Sequence, residues 1–277
     1  MTGTTEGANI LDLVSELKAT GEVFALATVV RTVAATAAKA GAKAVIRQDG
    51  AITQGWIGGG CARGAVLKAA REAMADGTPR LVSIQPEDLL SETGVSPGET
   101  RAGVSFARNM CPSKGTMDVF VEPVLPAPEL VVCGESPVAR AVADLAPRFG
   151  FAVTVCAPAA DQPGIPTSAR RSEGPVPEPE SARGRCIVVS TQGKGDAAAL
   201  RGALESDADY VAFVGSHAKT RSLRARLLAE GVAQARFDAL HAPAGLDIGA
   251  ITPEEIALSI LAEIVSHRRR GQCRETT

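Results

Sequence analysis

The chain has 277 residues, enough for about two domains at roughly 150 residues each, and it is 45% hydrophobic with only 3% aromatic residues. Its cores must therefore be built from Val, Leu, Ile and Ala. A net charge of −2 with no long basic run argues against a nucleic-acid surface or a polybasic membrane patch. No run of 18 apolar residues is present, so no membrane-spanning helix is expected. Residues 1–9 have neither a basic stretch nor an apolar one, so export is not expected. The six cysteines (61, 111, 133, 156, 186 and 273) are scattered, and neither they nor the three histidines show metal-ligand spacing. A bound protein metal is thus not expected, and a reducing cytoplasm suits the thiols.

In chain order, Asn9 reads as the N-cap of a helix with Ile10, Leu13, Val14 and Leu17 on one face and Gly21 at its end. Val23–Val33 reads as a buried strand and Ala42–Arg47 as another, followed by the turn pair Asp49-Gly50. Lys39 and Lys43 beside these strands could frame a phosphate or could simply be solvated. Then comes Gly55-Trp56-Ile57-Gly58-Gly59-Gly60-Cys61, ahead of an alanine-rich helical pattern over 62–76. Backbone N–H groups at a helix start lack partners, and the helix dipole favours an anion there. Gly58, Gly59 and Gly60 remove the side chains that would keep a ligand off that backbone. Cys61 at the helix mouth is placed to carry a stabilised thiolate. The competing interpretation is a tight packing turn with Cys61 as a small hydrophobe.

Arg80–Gln85 reads as a strand, 86–100 as an acidic surface loop and Gly103–Ala107 as a short strand. The polar turn Asn109–Thr116 holds Cys111 close to Lys114, a setting that can activate a thiol. Met117–Glu122 reads as the last strand of the first domain. Three prolines in Pro123–Pro128 give linker composition, so the expected domains are 1–124 and 129–270.

In the second half, strand Leu130–Cys133, turn Gly134-Glu135-Ser136-Pro137, helix, and strand Phe151–Cys156 form a unit of the dinucleotide-binding type. Ser136 stands in the second glycine position, and Cys156-Ala157-Pro158 stands where a ribose-holding acid belongs. A proline-rich loop is expected over 157–183. Strand Arg185–Ser190, helix Asp196–Leu204, strand Tyr210–Val214 and a helix over Lys219–Glu230 continue the alternation. Cys133, Cys156 and Cys186 sit at apolar strands and are expected to be structural thiols with raised pKa values. Thr252, Pro253 and Glu255 form a capping box. Before it, Asp247 lies in a glycine-flanked apolar loop, where it could bind a ligand or cap backbone.

Several of these pieces, in this order, resemble the XdhC/CoxI family: Ala27–Thr32, Gly41-Ala42-Lys43, Gly58–Cys61, Val121-Glu122-Pro123, Gly215-Ser216 with Lys219, and Gly245–Ala250 with Thr252–Ala257. The chain departs from the family pattern at Ala35-Thr36, Ala62-Arg63, Gln192 and Gly134–Pro137. The resemblance implies an α/β fold, with an N-terminal α/β domain followed by a Rossmann-like, doubly wound parallel-sheet domain. It implies a cofactor-binding chaperone more than an enzyme. Such a protein binds molybdenum cofactor transiently, as molybdopterin or molybdopterin cytosine dinucleotide, supports its sulfuration with a cysteine desulfurase, and hands it to a xanthine or carbon monoxide dehydrogenase-type apoenzyme. A homodimer is compatible with this. Cys61 and Cys111 are the candidate functional thiols. Lys43, Gly58, Gly59, Gly60, Cys61, Gly134, Ser136, Gly215, Ser216, Lys219 and Asp247 are the candidate cofactor-binding residues. The alternatives are an NAD(P)-dependent oxidoreductase and a non-catalytic assembly factor that only docks the partner enzyme.

Overall fold

The computed structural model describes residues 9–112, 114–158, 164–174, 176–179 and 184–269, without the side chain of Cys61. The chain divides into two compact units, Met1–Pro126 and Ala127–Thr277. The whole is α/β, with a mixed sheet in the first unit and a parallel one in the second.

The first unit opens with helix α1 (Ile10–Ala19), whose N-cap Asn9 accepts a hydrogen bond from the Leu11 N–H. Strands β1 (Phe24–Val33), β2 (Lys43–Arg47) and β3 (Ile52–Gly55) form an antiparallel meander. Helix α2 (Gly60–Asp76) leads to β4 (Arg80–Gln85), helix α3 (Glu87–Glu92), β5 (Thr100–Arg101), β6 (Val104–Arg108) and β7 (Thr116–Val124). The strand order is β3-β2-β1-β7-β4-β6-β5, with β4 and β6 parallel and the other pairs antiparallel. Period-2 alternation decides which residues face α2: Ala25, Ala27 and Val29 of β1, Val82 and Ile84 of β4, and Val119 and Val121 of β7 pack with Val66, Ala69 and Ala70 of the helix. The short helix α3 lies inside the stretch expected to be a loop. Its two leading acids suit a helix N-terminus, and its one buried anchor, Leu90, is too little periodicity to reveal six residues of helix.

The second unit has a five-stranded, all-parallel sheet in the order β10-β9-β8-β11-β12, built from β8 (Glu129–Cys133), β9 (Ala152–Cys156), β10 (Arg170–Ser172), β11 (Arg185–Val189) and β12 (Tyr210–Phe213). In order along the sheet this is 3-2-1-4-5, the doubly wound Rossmann arrangement. Both faces are covered. Leu130, Val132, Val153 and Val188 pack under α4 (Pro137–Leu145) and α8 (Pro253–Arg269). Val131, Ile187, Val189 and Phe213 pack under α5 (Asp196–Glu205), α6 (His217–Ala229) and α7 (Gln234–Asp238). This explains the unbroken apolar runs of β8 and β11, which are buried on both sides. Strand β10 falls within the stretch expected to be a proline-rich loop. It is a three-residue edge strand, Arg-Arg-Ser, with no apolar pattern to signal it.

Candidate functional site

In the first unit, the carboxyl ends of β1, β4 and β6 and the start of β7 meet beside the N-terminus of α2. A cavity of about 390 Å³ opens there, lined by the turn Gly58–Gly60 with Ala62, by Ala35–Ala37 after β1, and by the loop that carries Asn109, Met110 and Cys111. The glycine turn is anchored by Ile57, which is fully buried. Gly58 and Gly60 have positive φ, and Gly59 is the helix N-cap with extended backbone and no side chain capping the helix. The first N–H groups of α2 are thus left to a ligand or to water.

The opposite wall depends on Gly115. A Cβ there would collide with the Ala35 carbonyl oxygen, so only glycine lets the two loops touch. Asn109 closes its loop by donating from Nδ2 to the Gly115 carbonyl at 2.6 Å and accepting from the Cys111 N–H at 2.9 Å. Sequence reasoning did not single out Asn109, although its place at the head of a polar turn was the available signal. Ala34 and Lys114, on these two loops, both hold positive φ without being glycine, a local cost that tends to accompany built sites.

Of the residues expected in a first-unit site, Gly58, Gly59, Gly60 and Cys111 line one cavity, and Cys111 is exposed. Cys61 occupies the second position of α2, but its side chain lies outside the described residues. Lys43 is not among the lining residues: its ammonium donates to Thr28 Oγ1 at 3.0 Å. Lys114 points its ammonium to Asp88 of α3 at 2.8 Å, so its charge goes to that carboxylate.

In the second unit, a cavity of about 580 Å³ lies beyond the carboxyl ends of β8, β9 and β11. This is where the strand order reverses, the usual ligand crevice of such sheets. Its lining includes Cys133, Gly134, Cys156, Thr191 and Lys194. Gly134 has φ +112°, and a Cβ would collide with the Ser190 carbonyl oxygen, so the β8–α4 turn presses against the end of β11. Ser136 is not free for a ligand. It is buried, caps α4 by accepting from the Ala139 N–H at 3.0 Å, and shares a 2.6 Å hydrogen bond with the Ser190 hydroxyl.

The Gly215-Ser216 turn is likewise committed to structure. Gly215 packs against the Phe213 ring, and Ser216 caps α6 by accepting from the Lys219 N–H. Lys219 Nζ lies 2.5 Å from Asp196 Oδ2. Burial pushes the Asp196 carboxyl up, but hydrogen bonds from Lys219, Thr191 and the Gly193 N–H outweigh that and hold it below the usual carboxylate range. Asp196 thereby shapes the 191–195 loop that borders the cavity, a role not read from the sequence. Asp247 is exposed on its loop and lines neither cavity. That loop is tied down by a different acid: Glu263 of α8 accepts from the Gly245 N–H at 2.8 Å and the Tyr210 hydroxyl at 2.7 Å, and its other oxygen meets His241 Nδ1 at 2.8 Å.

The thiols differ from expectation at one position. Burial, with Asp209 nearby, pushes Cys186 up to about 12, and Cys133 is also well above the ordinary thiol value. Cys156 is lowered, first through a hydrogen bond from Cys133. The sequence shows both cysteines ending apolar strands, but not that the strands are neighbours in register.

Among the described residues, no group of three or more His, Cys, Asp and Glu could hold a metal ion, and no helix is long and apolar enough to cross a membrane. Compared with known proteins, residues 17–85 match the XdhC and CoxI family, and residues 130–264 match the XdhC Rossmann domain. An uncharacterized protein, YqeB, of Escherichia coli strain K12 is 29% identical over 264 residues, covering 93% of this chain and 46% of its own length. A probable xanthine dehydrogenase subunit of Bacillus subtilis strain 168 is 29% identical over 166 residues, covering 56% of this chain and 47% of its own. The chain spans about half the length of these curated relatives. A crystal structure of a xanthine dehydrogenase from Bacillus halodurans aligns over 98% of both chains at 19% identity, with a TM-score of 0.46. Both family models are matched in order along one chain, the first reaching from the end of α1 through β4 and the second over the Rossmann unit: the chain belongs to the XdhC and CoxI family.

Proposed function

We propose that the chain is an accessory protein for the maturation of a molybdenum hydroxylase. In this reading it binds molybdenum cofactor as transient cargo, either molybdopterin or its cytosine dinucleotide. It supports sulfuration of that cargo with a cysteine desulfurase and delivers it to a xanthine dehydrogenase-type apoenzyme. The observation that carries the reading is the first-unit cavity, where the uncapped start of α2 and the Cys111 loop border one space. The residues present fit such a cargo. Backbone N–H groups and the helix dipole suit a phosphate, the Cys111 thiol and Met110 suit a soft metal, and about 390 Å³ lies within the small-molecule range of roughly 300–1,000 Å³. Among the described residues, no Lys or Arg lines this cavity, so an anion would be held by neutral donors, which suits cargo that must be released. Family membership and the name of the Bacillus subtilis relative support a xanthine dehydrogenase-type partner.

The test is anaerobic incubation of the purified chain with molybdenum cofactor, gel filtration, and fluorescence of the oxidised pterin. Pterin co-eluting with the protein is the expected result. No retained pterin, under conditions in which an established carrier retains it, would leave only a docking role. An NAD(P)-dependent oxidoreductase is the second reading, favoured by the second-unit cavity at the sheet's switch point with Gly134 on its wall. It is opposed by the absence of an acid at the end of β9, and titration with NADH or NADPH followed by fluorescence separates the two.

A further inference from the structure

Cys133 closes β8 and Cys156 closes β9; the strands run parallel, and these two residues are partners across the ladder. Both side chains lie on the same face of the sheet, are 3% and 6% exposed, and line the cavity of the second unit. Neighbouring strands stand about 4.8 Å apart, inside the Cα separation of roughly 4.4–6.8 Å over which a disulfide closes. On its other side Cys156 is paired in register with Ser172 at the end of β10.

A core cysteine packing as a hydrophobe has its thiol pushed up by burial, as Cys186 has on the other face of the same sheet. This pair is divided instead. Cys156 is held below the ordinary thiol value by the hydrogen bond from Cys133 and then by Arg185 and Ser172, against burial; Cys133 is pushed up by its bond to Cys156 and by burial. Cys156 also stands at the strand end where a dinucleotide enzyme carries its ribose-holding acid.

We propose that Cys133 and Cys156 form a vicinal-dithiol site on the floor of the Rossmann cavity, one that exchanges with small-molecule disulfides and closes to an intramolecular disulfide. The Cys156 thiolate attacks one sulfur of a disulfide RSSR. A Cys156–S–S–R bond forms, the R–S–S–R bond breaks, and RS⁻ takes a proton from water to leave as RSH. Cys133 then loses its proton to water and attacks Cys156 Sγ. The Cys133–Cys156 disulfide forms, the Cys156 Sγ–SR bond breaks, and the second RS⁻ takes a proton from water to leave as RSH. The protein dithiol is oxidised by two electrons and RSSR is reduced to two thiols; an added dithiol reverses the exchange.

Two probes test this on the full, reduced chain. Phenylarsine oxide, whose trivalent arsenic bridges adjacent thiols, should be retained at one per chain through a monothiol wash and released by a dithiol. Retention should vanish in Cys133→Ala and in Cys156→Ala and persist in Cys61→Ser/Cys111→Ser. Glutathione disulfide, followed by non-reducing peptide mapping of the wild-type chain, should yield a cross-linked peptide joining Cys133 to Cys156, a readout that needs no folded variant. Full arsenical retention in Cys156→Ala would overturn the proposal. So would mapping that finds Cys133 and Cys156 as free thiols while glutathione has added to Cys111.

Discussion

Lys219 Nζ stands 2.5 Å from Asp196 Oδ2 and 5.6 Å from the centre of the Phe213 ring, so the cation that opens α6 is held by the acid that opens α5. Lys219→Met removes the partner of a buried carboxylate while keeping most of the packing. Thermal or urea unfolding should show a loss of about 1–3 kcal/mol. The Asp196 carboxyl is lowered in the folded chain, so its stabilisation is fully present above its unfolded value of about 3.9 and is lost as pH falls through the lower folded value. The difference between wild type and Lys219→Met should therefore narrow below about pH 4. A gap that stays constant into acid would show that the pair contributes nothing through charge.

Gly59 separates stability from cargo binding. It is the N-cap of α2 with φ −112°, a conformation open to any residue, and a Cβ there meets nothing closer than the Trp56 ring at 3.8 Å. Gly59→Asp should cap the helix and leave stability unchanged or higher by a few tenths of a kcal/mol. The same carboxylate would repel an anionic ligand at the helix start, and pterin retention should fall by about tenfold or more. Undiminished retention in a folded variant would place the cargo elsewhere.

Gly134 is the counterpart in the second unit. Gly134→Val sets a branched side chain on a positive-φ residue whose Cβ would overlap the Ser190 oxygen. The expected cost is about 3 kcal/mol or more, read as a lowered denaturation midpoint or as loss of soluble protein. A variant as stable as wild type would mean that the β8–α4 turn can move off β11.

Glu263 joins α8 to the start of β12 and to the 241–249 loop through three hydrogen bonds. Glu263→Gln keeps the shape but removes the charge that strengthens all three. Unfolding should shift by about 1–3 kcal/mol, and amide exchange at Gly245 should quicken while that in β8 stays slow. Unchanged exchange at Gly245 would assign that loop's order to packing alone.

The two candidate thiols of the first unit differ in what they predict. Cys61→Ser should fold normally yet lower delivery of active cofactor to the partner apoenzyme, if Cys61, a candidate functional thiol at the second position of α2, serves the proposed transfer. Cys111, exposed on its loop, should be alkylated readily, and Cys111→Ser should weaken cargo retention. If Cys61→Ser matures the partner as well as wild type does, the sulfur role belongs to Cys111 or to neither.

The sequence alone determined most of the elements. Period-2 alternation in β1, the unbroken apolar runs of β8 and β11, and the Asn9 and Thr252 caps are local signals that short-range physics imposes. Their alternation in the second half pointed to the parallel sheet that the structure has. Short elements escaped, among them α3 and α7 with one buried anchor each and β5 and β10 with none, because each is held by tertiary contacts and not by its own pattern. The site divided in the same way. The Gly58–Gly60 turn was legible, since three consecutive glycines before a helix have a local meaning. That Gly115 and Asn109 build the wall opposite was not, because their partners are set by loops that meet only after the sheet forms. Lys43, Ser136 and Lys219 have the chemistry of ligand-binding groups, yet folding places Thr28, Ser190 and Asp196 within their reach, and an internal partner already in place competes with any ligand. Cys133 and Cys156 are 23 residues apart in the chain and become one pair only because β8 and β9 align in register. Sequence reports what each residue can do; strand register and loop contact decide which residues do it together.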